Sequence, residues 1–357
     1  MALYPLLRPL AFALDAERAH RLTIKALKLL PPGLPPRRDP VLAVDLAGLA
    51  FPNPVGLAAG FDKDAEVWRQ MHGFGFGFVE VGTLTPRPQP GNPKPRLFRL
   101  VEDRAVINRM GFNNRGQAAA IPRLRRGGPA PLGVNIGANK DSSDRIGDYA
   151  RGVRTMGDVA DYLTVNISSP NTPGLRALQD KKALDELLGA VMEARNTIRA
   201  PSLDMEDVQP HRPPIFLKVA PDLDREEIKA ISEVALDRKV DALIIGNTTI
   251  SRPPLLSAHR GETGGLSGLP LKELALERLR DFRRATEGAL PLIAAGGIDN
   301  GVDAFDRIRA GASLVQLYTA LVYEGPDLAG RINAELKHLL KRHGFQSVAE
   351  AVGVSPA

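Results

Sequence analysis

Short apolar runs recur along the chain, most of them ended abruptly by polar or glycine-rich residues and then followed by a stretch of helical periodicity. Eight stand out: Pro54 to Ala58, Phe76 to Val81, Pro131 to Ile136, Tyr162 to Ile167, Ile215 to Val219, Ala242 to Ile245, Pro291 to Ala295 and Ser313 to Leu317. Runs this short read as strands buried on both faces, which give continuous hydrophobicity in place of alternation. Between them lie segments of helical period, such as Lys181 to Ile198 and Leu271 to Ala285. Eight strand–helix units predict an α/β chain closed into a parallel (β/α)8 barrel, the TIM-barrel architecture. An open doubly wound sheet would suit six better, and it would carry a glycine fingerprint after the first strand that is missing here. A hairpin is predicted in 41 to 51, and residues 200 to 213 read as a surface insertion.

The start of the chain has a different pattern. Residues 3 to 14 are strongly apolar but are interrupted by Pro5, Arg8 and Pro9, so they are too short to span a bilayer. From Ala16 to Leu30, Ala19, Leu22, Ala26, Leu27 and Leu30 recur on one helical face, with Glu17, Arg21, Lys25 and Lys28 on the other. The run Pro31-Pro32-Gly33-Leu34-Pro35-Pro36 stops this helix and links it to the main body, which predicts a helical domain over 1–38 and a barrel domain over 39–357. Arg8, Arg18, Arg21, Lys25, Lys28, Arg37 and Arg38, against Asp15 and Glu17, hold nearly the whole net charge of +6. A basic, amphipathic pair of helices suits the surface of a lipid bilayer with anionic head groups. A helix packed on its own protein is the alternative.

Composition narrows the chemistry. The 43% hydrophobic content supports a substantial core. The absence of cysteine removes disulfides, thiolate nucleophiles and cysteine-ligated metal or iron–sulfur sites together. The six histidines lack HxxxH or HxH spacing, so no metal site is expected.

The polar ends of the runs hold the candidate chemistry. Val165-Asn166-Ile167-Ser168-Ser169-Pro170-Asn171-Thr172-Pro173-Gly174 delivers amides and hydroxyls to the rim on a turn stiffened by proline. Ala294-Ala295-Gly296-Gly297-Ile298 and Leu317-Tyr318-Thr319-Ala320 follow the last two strands, where barrels commonly bind phosphate on bare backbone N–H groups, and Gly265-Leu266-Ser267-Gly268 adds a third such edge. Lys63 and Lys218 sit at strand ends, where a cation can stabilise charge gathering on a flavin or a carbonyl oxygen, or can form a rim salt bridge. Asn108-Arg109-Met110-Gly111-Phe112-Asn113-Asn114 is read as a long loop whose amides suit a planar, amide-rich ligand.

Ala58-Ala59-Gly60-Phe61-Asp62-Lys63, Asn108 to Asn114, Asn166 to Thr172, Asn247-Thr248-Thr249, Gly264 to Gly268 and Gly296-Gly297-Ile298, in this order, closely resemble the membrane-associated, quinone-dependent class 2 dihydroorotate dehydrogenases. The resemblance covers essentially the whole chain. It implies FMN in the barrel mouth, held by Ala59, Gly60, Phe61, Asp62, Lys63, Thr83, Asn135, Asn166, Lys218, Gly246, Gly268, Gly297, Tyr318 and Thr319. At Gly246, where much of that class has threonine, only backbone is available. The substrate dihydroorotate, and its product orotate, would be held by Lys63, Asn108, Arg109, Met110, Gly111, Phe112, Asn166, Asn171, Asn247 and Thr248. Ser169 would be the base for the C5 proton, with Thr172 or a buried water as relay. His20, Arg99 and Tyr318 would meet the head of a membrane quinone.

The expectation is therefore a flavin enzyme of UMP biosynthesis. It would sit peripherally on the cytoplasmic face of the cell inner membrane through residues 1 to 36, with no nucleic-acid partner. A soluble FMN barrel using fumarate or a nicotinamide is the enzymatic rival, opposed by the missing cysteine. A ligand sensor or scaffold on a barrel without catalysis is the other, opposed by the intact Lys63, Ser169 and Lys218 set.

Overall fold

The computed structural model describes residues 4–128, 131–172, 174–198 and 212–354, so the expected insertion at 200 to 213 lies almost wholly outside them. Eight parallel strands close into a barrel: β1 (Val55–Leu57), β2 (Phe78–Leu84), β3 (Leu132–Ile136), β4 (Tyr162–Asn166), β5 (Ile215–Val219), β6 (Ala242–Ile245), β7 (Leu292–Ala295) and β8 (Ala312–Leu317). Each pairs with its neighbours in chain order, and β8 closes on β1 through Val315 and Val55. All eight expected runs are strands, with shifts of a residue or two at most ends; β2 begins at Phe78 and continues through Thr83 to Leu84. The expected hairpin is Val44–Leu46 paired antiparallel with Leu49–Phe51.

The barrel interior is filled in layers. Phe78, Tyr162 and Phe216 pack at the bottom, with the last two rings stacked 4.5 Å apart. Gly56 and Gly133 make room for this layer: a Cβ at either would lie 2.1 Å from the ring of Phe78 or of Tyr162. Two residues along β2, Glu80 points the same way as Phe78 because side chains alternate along a strand. Its fully buried carboxylate accepts from Asn135 Nδ2 (2.8 Å), Thr164 Oγ1 (3.0 Å), Gln316 Nε2 (2.9 Å) and the Tyr162 hydroxyl (3.3 Å).

The barrel mouth carries a structure that the hydrophobic pattern does not predict. Leu97–Leu100 and Ala105–Asn108, in the excursion after β2, pair antiparallel with each other, and Gly265–Gly268, after β6, adds on the other side of Ala105–Asn108. Phe98, Leu100, Ala105, Ile107 and Leu266 give this sheet its own small core.

Helices α1 (Tyr4–Ala13) and α2 (Ala16–Leu27) lie against the mouth, and α2 is capped by Asp15 accepting from Arg18 N–H at 2.9 Å. One expectation for α2 is overturned. Glu17 is not on the charged outer face: it is buried, forming a forked ion pair with the equally buried Arg96 (2.8 and 3.0 Å), while Leu22 is 51% exposed and Ile24 takes the buried position. Partner chemistry decided the facing, because a carboxylate can be buried only against a cation that reaches it. Arg21 and Lys28 both pair with Glu66. Leu6, Leu10, Leu29 and Leu34 remain 70–87% exposed. Among the described residues no helix is long and apolar enough to cross a membrane.

Candidate functional site

Strand register sets the floor of the site. Asn135 is level with Gly82, and Asn166 is level with Lys218. The loops after these strands therefore converge on one cavity of about 690 Å³, which continues outward between the mouth sheet and the α1–α2 pair. Of the residues expected around a flavin, Ala59, Gly60, Phe61, Lys63, Thr83 and Asn166 line it from one side. Lys218, Gly246, Gly268, Gly297, Tyr318 and Thr319 line it from the other strand ends. Of the residues expected around the substrate, Asn108, Met110, Gly111, Phe112, Asn171, Asn247 and Thr248 line the same cavity, as does Ser169.

Three expected residues do not. Asn135 lies beneath the cavity, joining Thr83 Oγ1 (2.6 Å) and Asn166 Nδ2 (3.1 Å) to Glu80. Asp62 faces away and accepts from the N–H groups of Glu66 and Val67, both at 2.7 Å. Burial pushes its carboxyl up to about 6, against those two bonds. Arg109 pairs with Glu262 (2.7 Å) and stacks over Phe98, so only its backbone neighbours reach the cavity.

The cations are the site's most telling feature. Lys63 and Lys218 both line the cavity, and neither ammonium has a hydrogen-bond or ion-pair partner among the described residues. Burial pushes Lys63 down to about 8, with Arg96 adding to the effect. Burial likewise lowers Lys218, opposed by Glu80. An ammonium that faces a recessed cavity without a partner is costly, so this arrangement calls for an electron-rich ligand to complete it.

The hydroxyls are sorted by their bonds. Ser168 donates to Asn166 Oδ1 (2.7 Å) and accepts from Asn247 Nδ2 (2.6 Å), so its oxygen is engaged in structure. Among the described residues Ser169 Oγ accepts only the N–H of Asn171, at 3.2 Å, and donates to none. Thr172 and Thr248 each have a buried Oγ1 with no partner among the described residues. Gly246 has φ 119°, and a Cβ there would lie 2.1 Å from the Ala295 carbonyl oxygen, so this position offers backbone alone. Gly297 backs onto Lys272, and its N–H has no acceptor among the described residues. A glycine-edged cavity with a free backbone donor, orphaned hydroxyls and two unpaired cations fits a flat, phosphate-bearing, acceptor-rich group such as a flavin mononucleotide.

Outward, the cavity becomes apolar. Leu7, Ala11, Phe12, Ala19, Thr23 and Leu27 line it on the α1–α2 side. His20 packs edge-on to Phe61 with centroids 5.5 Å apart and lies near Tyr318, while Arg99 sits over the Phe12 ring. Burial pushes His20 down to about 4, helped by Lys63 and Arg21, so this imidazole is neutral at ordinary pH. Ser267, in the expected third glycine edge, lines the cavity as well. Residues that the sequence reading passed over also belong here: Gln316 lines the cavity, and Glu80 organises its floor.

The comparisons with known proteins agree with this arrangement. A dihydroorotate dehydrogenase family model matches residues 41–340. A protein of Novosphingobium aromaticivorans named dihydroorotate dehydrogenase (quinone) is 61% identical over 99% of both chains, and one of the same name from Sphingopyxis alaskensis is 60% identical over 99% of this chain and 97% of its own. The crystal structure of DHODH from Eimeria tenella in complex with ferulenol superposes with a TM-score of 0.89, at 45% identity and covering 95% of each chain. With the family model spanning the barrel and full-length relatives at such identity, the chain belongs to the dihydroorotate dehydrogenase family.

Proposed function

We propose that this protein oxidises dihydroorotate to orotate in pyrimidine biosynthesis, with FMN as prosthetic group and a membrane quinone as electron acceptor. The observation that carries the reading is the pair of ammonium groups of Lys63, half-buried, and Lys218, buried, which have no partner among the described residues and share a single cavity that runs from the barrel floor to the apolar space beside α1 and α2. FMN, when bound, would accept the hydride from C6 of dihydroorotate and return the electrons to the quinone.

The chain's own residues supply the rest. Gly268, Gly297, Tyr318 and Thr319 would hold the phosphate on backbone groups, and Lys218 would face the ring system from the β5 end. Asn108, Asn171 and Asn247, with Lys63, would hold the substrate, and the Asn171 Nδ2 to Asn108 Oδ1 bond of 3.4 Å already ties two of these amides together. Ser169 Oγ would take the C5 proton. The adjacent carbonyl acidifies that proton, and hydride departure from C6 lowers the demand on a neutral base. The buried Thr172 hydroxyl, without a partner among the described residues, is available to pass the proton on. Residues 1–38 would form a membrane-associating domain separate in role from the barrel domain 39–357. The exposed leucines of α1 and its flanks would meet lipid on the cytoplasmic face of the inner membrane, and His20, Arg99 and Tyr318 would meet the quinone head.

The test is one anaerobic titration. The purified protein should show yellow flavin absorption, bleach on adding dihydroorotate and recover on adding a long-chain quinone. Absence of flavin bands, or recovery with fumarate or a nicotinamide but not with quinone, would sink the reading.

A further inference from the structure

Arg176 opens the short 3-10 helix Arg176–Gln179, just after the polar loop that follows β4. Its guanidinium is spread across three loops. Nε donates to the Ser168 carbonyl at 3.1 Å, Nη2 donates to the Thr248 carbonyl at 3.2 Å, and Nη1 pairs with Asp222 Oδ2 at 2.9 Å. Asp222, in the loop after β5, in turn accepts from the Thr249 hydroxyl, the Ile250 N–H (3.2 Å) and the Ser251 hydroxyl (3.4 Å). One fork therefore ties together the ends of β4, β5 and β6. Arg176 does not line the cavity itself.

The two carbonyls it holds are informative. The Ser168 carbonyl and the Ser169 N–H belong to one planar peptide, so fixing the carbonyl fixes the plane from which the Ser169 side chain springs. The Thr248 carbonyl does the same for the loop that presents Asn247 and Thr248. Ser168 Oγ, held between Asn166 and Asn247, braces the opposite side of the same peptide. Among the described residues Ser169 has only the Asn171 N–H to orient it, so its aim follows the backbone, whose Ser168 carbonyl Arg176 holds. A planar, five-donor guanidinium suits this three-way task, and a lysine ammonium cannot reproduce its fixed directions.

We infer that Arg176, anchored by Asp222, is the positioning residue for Ser169, aiming its hydroxyl at the substrate carbon that loses a proton. This rests on Ser169 being the base, and the test separates the two claims. Single-turnover flavin reduction by saturating dihydroorotate is measured anaerobically in wild type, Arg176→Lys, Ser169→Ala and the double variant. Arg176→Lys should slow reduction by about 10- to 100-fold, as misplacement of a reacting group does. Its flavin content and its reoxidation by quinone should be unchanged. In the Ser169→Ala background the same substitution should add less than about twofold, because residues that act as a unit are non-additive. Equal fold-losses in the two backgrounds, or no loss in Arg176→Lys, would overturn the inference while leaving Ser169 as base. Wild-type reduction by Ser169→Ala would overturn the base assignment and the inference with it. Should Arg176→Lys fail to fold, Asp222→Asn, which keeps the shape but removes the counter-charge, takes its place in the same cycle with the same expected outcomes.

Discussion

Glu17→Gln tests how α2 is held over the cavity. The substitution preserves volume but leaves Arg96, itself 6% exposed, without its counter-charge. Removing one partner of a buried pair costs about 3–5 kcal/mol. The lower figure applies because Arg96 keeps the carbonyls of Pro90 (2.7 Å) and Asn92 (2.8 Å). The other restraints on α2 are the burial of Ile24, about 1.5–3 kcal/mol, and the Arg21 and Lys28 pairs to Glu66, each about 0–1 kcal/mol. Losing about 3 kcal/mol from that total leaves α2 docked but opening about 100-fold more often, at roughly 1.4 kcal/mol per decade. Native-state hydrogen exchange reads this directly. Protection over Ala16–Leu27 should fall by that factor while amides of β4 and β5 keep theirs. Unchanged exchange in α2, or an equal fall in the barrel strands, would refute the reasoning. The same pair sets a pH dependence. Burial raises the Glu17 carboxyl, but its bonds and attraction to Arg96 and Lys94 outweigh that, and the net direction is down. A carboxyl depressed in the folded state stabilises above its unfolded value and loses that contribution as pH falls through the folded one. Wild-type α2 should therefore lose protection in acid, below about pH 4, and Glu17→Gln should show little further loss there.

Ser169→Ala should slow flavin reduction by dihydroorotate by roughly 100-fold or more and leave reoxidation by quinone untouched, with partial recovery in Ser169→Cys, as stopped-flow absorbance would show. Lys218→Ala should weaken flavin retention or slow flavin reduction; normal values for both, from absorbance of the purified protein and single turnover, would remove its assigned role. A protein starting near Arg38 should still bleach with dihydroorotate but should lose vesicle binding and long-chain quinone reduction. Equal reoxidation by the truncated and full-length proteins would end the proposal that residues 1–38 serve the quinone.

The barrel was legible because strands buried on both faces keep a continuous apolar signature whatever surrounds them. The mouth sheet was not, since its four-residue strands come from excursions some way apart in the chain and alternate too briefly to announce themselves. Most cavity residues could be named because they end strands, where barrel topology gathers them. Glu80 escaped notice inside the run Phe76 to Val81, as one charge among apolar neighbours whose partners lie on β3, β4 and β8. Arg176 and Glu17 escaped for a related reason: their roles depend on which distant group they meet, and no local pattern encodes that.

Glu80 also has a consequence for how the chain reaches its fold. Its carboxylate draws on donors from three other strands, and one of them, Gln316, arrives only with the last strand of the barrel. A collapsed intermediate that has gathered β2, β3 and β4 but not β8 would enclose a negative charge short of one of its donors, which costs more than leaving it in water. Such half-closed forms lack part of the stabilisation that the finished barrel gains. The residue thus favours closure of the barrel over forms that leave the ladder edges of β8 and β1 open to aggregation.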